Sequence, residues 1–162
     1  TAYTGKLNLE LAVKGNLKNT DEIPRAKSFT GSGRLEIKDG TLFKIPLLLG
    51  LSRILSKVIN GFGYASQNDF SADFKINDGV VKSDKLFLQG NLLSIAGPGS
   101  YRFADQKISA DLKIQLFKEG ILSDALKIIL WPIRKLIEVQ LTGTIDNPDW
   151  QPKNLPREIF GK

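Results

Sequence analysis

One phrase, stated twice, limits what this chain can fold into. Leu35-Glu36-Ile37-Lys38-Asp39-Gly40 returns thirty-nine positions later as Phe74-Lys75-Ile76-Asn77-Asp78-Gly79. Each copy alternates apolar and polar residues, the period of a strand with one buried face, and each stops on Asp-Gly, where glycine supplies the positive φ of a tight hairpin turn. The same period recurs in Leu7, Leu9, Leu11 and Val13, in Phe70 to Ile76, and in Ile108, Ala110, Leu112, Ile114 and Leu116. Repeated strand-turn units build an extended sheet with one apolar face. That face is the expected working part.

The units fall in order along the chain. A first strand covers Lys6 to Lys14, and the polar residues 15 to 30, with Gly15, Asn19, Asp21 and Pro24, read as a long connection. Gly31 to Phe43 reads as two short strands around Asp39-Gly40, and Asn68 to Leu88 as a hairpin around Asp78-Gly79. A further strand starts near Asn91 and is interrupted at Gly97-Pro98-Gly99, since proline cannot donate to a central ladder and fits a bulge or bend. Ile108 to Leu116 is the next strand. A last strand, Ile137 to Ile145, precedes a turn over Asp146-Asn147-Pro148-Asp149-Trp150, with 151–162 as an irregular tail. Short connections between successive strands imply a meander.

Two stretches switch to helical spacing. From Pro46, the residues Leu47, Leu48, Leu51, Ile54, Leu55, Val58 and Ile59 recur every three or four positions, and Gly61 and Gly63 mark the stop. This wide stripe either packs on the sheet or serves as a lid that shares its apolar face with a ligand. A second helix is predicted from Ser123 to about Leu136, capped by Ser123 or Asp124 and kinked at Pro132. Trp131 beside that proline is either a core residue or an interface anchor. The fold class is therefore α+β and β-rich: a curved antiparallel meander of about seven to nine strands forming a groove. Two amphipathic helices cover it, in a single domain over residues 1–150.

Composition removes several function classes. The 162 residues suffice for one domain with a real core. Histidine and cysteine are both absent, which leaves no thiolate metal site, no disulfide and none of the usual nucleophilic triads. Asp39, Asp78 and Asp146 occupy turns, where aspartate bonds its own backbone, and Asp73 and Asp111 lie on polar strand faces. No catalytic residue, metal ligand or cofactor is expected, and a carbohydrate-active enzyme would need two facing carboxylates. The formal charge of +6 comes from single exposed positions such as Lys6, Lys14, Lys38, Lys75, Lys82 and Lys113. Such spacing fits a solvated face that resists edge aggregation, or a weak pull toward anionic membranes, and not a nucleic-acid site. The longest apolar run, Ile45 to Leu51, is far short of a membrane span. Methionine is absent and the chain opens Thr1-Ala2-Tyr3, so the expectation is an internal or C-terminal piece of a longer protein, in which any leader or anchor upstream would not be visible here.

Over roughly residues 31 to 152 the chain resembles the C-terminal region of AsmA-like proteins, relatives of the TamB and YhdP group of the Gram-negative envelope. The residues that carry the resemblance are the strand ending in Asp39-Gly40, the helix opening at Ile45-Pro46, the run Phe70-Ser71-Ala72-Asp73-Phe74-Lys75-Ile76-Asn77-Asp78-Gly79-Val80-Val81, and the closing Leu141-Thr142-Gly143-Thr144-Ile145-Asp146-Asn147-Pro148. The resemblance implies a periplasmic protein anchored to the inner membrane through regions outside this chain, with a hydrophobic β-groove for phospholipid transfer or outer-membrane homeostasis. It carries no catalytic residues. Candidate acyl-chain contacts are Leu35, Ile37, Phe70, Phe74, Ile76, Leu112 and Ile114 on the sheet and Leu47, Leu51, Ile54, Leu55 and Val58 on the first helix. The expected ligand is a phospholipid or another acyl chain, with envelope proteins as further partners. The competing expectation is a scaffolding domain that docks neighbouring β-repeats or a partner protein through its sheet edge.

Overall fold

Strict alternation at Ile108 to Leu116 becomes a strand in which buried and exposed residues alternate without a break. The computed structural model describes residues 4–15, 29–63, 66–117 and 136–155. They form β1 (Lys6–Lys14), β2 (Thr30–Gly40), a 3₁₀ turn (Leu42–Lys44), α1 (Pro46–Val58), β3 (Asn68–Asn77), β4 (Val80–Gln89), β5 (Leu93–Arg102), β6 (Ile108–Leu116), β7 (Leu136–Gly143) and β8 (Pro148–Pro152). All eight strands lie in one antiparallel sheet in chain order, curved and unclosed. The meander and the β-rich class are as expected. The helix predicted from Ser123 lies outside the described residues, with Trp131 and Pro132, except for Leu136, which opens β7. The connection at 16–28 also lies outside them.

Directly paired residues share a face, so the register sorts the whole sheet. Leu7, Leu9, Leu11 and Val13 stand opposite Ile37, Leu35, Gly33 and Gly31, which face Phe70, Ala72, Phe74 and Ile76 in turn. The row continues through Leu88 and Ile95 to Ile114 and Ile137, and through Ala110 and Leu141 to Trp150. One face is apolar from edge to edge, and the other carries the lysines.

Two local expectations are corrected in these strands. The first Asp-Gly does not turn a hairpin: β2 is a single eleven-residue strand. Asp39 takes a φ of 53°, and the chain leaves the sheet into the 3₁₀ turn, which buries Leu42 and Phe43. The second Asp-Gly behaves as read, with φ values of 49° at Asp78 and 74° at Gly79, both left-handed as a two-residue hairpin of the primed kind requires. The strand through Gly97-Pro98-Gly99 is not interrupted. Its distortion is carried by the neighbour instead: the register of β4 slips between Ser83 and Leu86, opposite Pro98, and slips against β3 at the same place. An extra residue there accommodates a proline with no N–H to give. A Cβ at Gly97 would collide with the Asp111 carbonyl oxygen, so β5 and β6 depend on glycine at that crossing.

Helix α1 begins on Pro46 at its first turn and buries Leu51, Ser52, Ile54, Leu55 and Val58 against the sheet. The Ser52 hydroxyl lies 2.9 Å from the carbonyls of both Phe43 and Leu48, which ties the 3₁₀ turn to the helix. The far anchor is Trp150. Its indole N–H donates to the Leu47 carbonyl at 2.8 Å, and its ring fills the space beside Gly50, where a Cβ would come within 2.7 Å of it. Trp150 is therefore the centre of an eighth strand and not part of a turn leading into a tail. Order continues past it, since Asn154 bonds both Glu138 and Leu136 and Leu155 is buried.

Replacing Trp150 by alanine removes this packing and the bond to the helix together. The expected cost is about 3–5 kcal/mol, read as a lower urea midpoint with unchanged slope. Trp150→Phe, which keeps most of the ring and loses only the N–H donor, should lose about 1 kcal/mol.

Candidate functional site

Among the described residues, the apolar face is larger than the helix that covers it. Seven spacings of about 4.8 Å make the sheet about 34 Å wide, whereas a thirteen-residue helix is about 20 Å long and about 10 Å thick. The core under α1 draws on inner residues from β4 to β8, and on β2 and β3 only through the half-buried Ile37 and Phe70. Beyond them the cover runs out. On β1 the apolar row stands open, with Leu7 68%, Leu9 51%, Leu11 54% and Val13 42% exposed. The outer edge of β1 pairs with no strand among the described residues, and all nine of its residues are exposed.

The twelve candidate contacts divide by this boundary. Leu51, Ile54, Leu55 and Val58 from the helix and Leu112 and Ile114 from β6 form the sealed core. Ile76 is buried on β3. Leu47 is half-buried at the helix start, its carbonyl taken by Trp150. Leu35, Ile37, Phe70 and Phe74 are half-buried on neighbouring strands and meet the open β1 row through Leu9 opposite Leu35, Leu7 opposite Ile37 and Leu11 opposite Gly33. The Phe74 ring lies over Gly33, whose missing side chain leaves it room. The β1 leucines themselves were legible as a strand. Their importance was not, because exposure here depends on how far a helix remote in sequence reaches across the sheet.

The outer face is a field of paired charges. Arg34 meets Glu36 at 2.9 Å and Asp73 at 3.7 Å, Lys38 meets Asp69 at 3.0 Å, and Lys153 meets Asp111 at 2.7 Å, all open to solvent at least in part and each contributing little by itself. A cleft of about 1380 Å³ opens mainly on this side. Its lining balances Glu10, Asp73, Asp78 and Asp84 against Arg34, Lys75, Lys82 and Lys85, which gives no net field for an anion or a cation. Of the apolar candidates only Phe74 touches it. Among the described residues no cluster of carboxylates could hold a metal ion, and no helix is long and apolar enough to cross a membrane.

Asp69 is a carboxylate of β3 held from β2. It accepts the Asp39 backbone N–H at 3.0 Å and the Lys38 ammonium at 3.0 Å, and these two bonds, the first the larger, hold its carboxyl below the ordinary aspartate range. Together they fasten the end of β2 to the start of β3. No family model, curated protein or solved structure matches the chain.

A carboxyl with a depressed folded-state pKa stabilises above the unfolded value, and that contribution disappears as pH falls through the folded value. Acid titration should therefore weaken the β2–β3 junction below about pH 4. Asp69→Asn should flatten that part of the stability profile and leave it unchanged at pH 7 to 8 apart from a constant offset, as read from urea midpoints across the range.

Proposed function

We propose that this chain is a non-enzymatic module that takes up acyl chains on the open part of its apolar face, as an AsmA-like envelope protein contributing to phospholipid transfer or outer-membrane homeostasis in the periplasm. One observation carries the reading: an apolar row continuous with the core emerges from beneath α1 and ends, exposed, at Leu7, Leu9, Leu11 and Val13. An acyl chain needs no directional contacts, since each buried methylene is worth about 0.8 kcal/mol on apolar surface alone. Leucine, valine and phenyl side chains suffice.

The unpartnered edge of β1 supports a second reading, in which a strand of a neighbouring repeat or partner adds to the sheet. The two separate in one experiment. The protein purified from a bacterial host without detergent is weighed by native mass spectrometry, before and after incubation with phospholipid vesicles. Lipid at a defined stoichiometry is the expected result, whereas a clean mass that takes up nothing overturns acyl binding and leaves edge docking.

Substitutions sharpen this. Leu9→Asp and Leu11→Asp alter exposed positions, so the melting temperature should hardly move while lipid uptake falls by about tenfold or more. Leu55→Asp places a charge at a position with no exposure and should unfold the protein in thermal melts.

A further inference from the structure

On the inner face, the side chain of Ser83 breaks the apolar pattern of β4. Ser83 pairs with Gly99 of β5 at the point where β4 bulges, and it is 7% exposed between the exposed Lys82 and Asp84. Its hydroxyl oxygen is buried and has no hydrogen-bond partner. Leaving a buried hydroxyl unpaired is unfavourable, and alanine in its place would fill nearly the same volume without that penalty. The surroundings are small and apolar: Gly99 presents no side chain, and Leu86 leans across it. On β3, Phe74 sits in the stretch where the register with β4 shifts, and its ring reaches over Gly33 toward the open β1 row.

We propose that the Ser83 hydroxyl is the polar hook of the acyl site, donating its proton to the carbonyl oxygen of a fatty acyl ester. This rests on the acyl-binding reading above and adds the chemical class of the bound group. From β4 to β1 is three strand spacings, about 14 Å, within reach of an ordinary fatty chain, so a tail that starts at Ser83 can pass Phe74 and Gly33 and lie along Leu11. The Asp78-Gly79 turn is four residues from Ser83, about 13 Å along the strand, which lets the rest of the lipid leave the sheet at that end. The hydroxyl distinguishes ligands that the leucines cannot: an ester offers an acceptor, and an alkyl chain of equal length does not.

The test measures uptake from vesicles of dioleoyl phosphatidylglycerol and of its dioleyl ether analogue, which lacks both carbonyls, counted by native mass spectrometry for wild type and Ser83→Ala. Wild type should load the ester about two- to tenfold better than the ether, the worth of one hydrogen bond. Ser83→Ala should load both at the ether level. A preference that survives in Ser83→Ala, or its absence in a wild type that loads both lipids, overturns the hook and leaves acyl binding standing. A wild type that loads neither lipid removes acyl binding itself and the hook with it. The lipid-free melting temperature of Ser83→Ala should equal or exceed that of wild type. A clear fall would mean the hydroxyl already has a partner in the empty protein and would also overturn the proposal.

Discussion

The structure depends on a mismatch of areas. An eight-stranded sheet that is apolar on one face from edge to edge must hide that face from water, and helix α1 is too short and too narrow to hide all of it. Where the helix lies, Leu88, Ile95, Ile114, Val139 and Trp150 of β4 to β8 are sealed into a core with Leu51, Leu55 and Val58. Where it does not, the same alternation leaves leucines in water. Trp150 fixes which half is which, because its ring beside Gly50 and its bond to Leu47 hold the start of the helix over β8, at the far side of the sheet from β1.

The free edge has its origin in the same geometry. A closed barrel would pair β1 with β8 and leave no exposed ladder, but α1 and the ring of Trp150 occupy the face that closure would fold inward. The outer face of the sheet is polar. Lysine, arginine, aspartate and glutamate alternate there in close pairs, and the cleft on that side is balanced in charge, so it offers water-compatible surface without a directed field. The uncommon features among the described residues are therefore on the inner face: an apolar strip at the edge and a buried hydroxyl without a partner at Ser83.

Much of this was legible in the chain. Period-two alternation located the strands, and the Asp78-Gly79 pair fixed a hairpin because both residues must adopt left-handed backbone. Pro46 and the leucine spacing behind it located the helix. The identical letters Asp39-Gly40 mislead, since the next apolar residues, Leu42 and Phe43, are drawn by the helix into the core and away from a return strand. Trp150 is deceptive for a similar reason. Proline, asparagine and aspartate around it speak for a turn, and only the space beside Gly50 makes it a buried strand residue.

Among the candidate contacts, the sequence could mark which residues are apolar and which share a face, but it could not distinguish Ile114, fully buried, from Leu9, half exposed. Both sit in equally clean alternation. By itself the sequence determined a one-faced antiparallel meander with an amphipathic helix and no chemistry-bearing histidine or cysteine, because those properties are local in period and composition. The tertiary structure alone decided where the helix lies, which strands it leaves uncovered, and that the slip opposite Pro98 falls in β4 beside Ser83. These depend on contacts between residues as much as 103 positions apart, and no window of the sequence contains them.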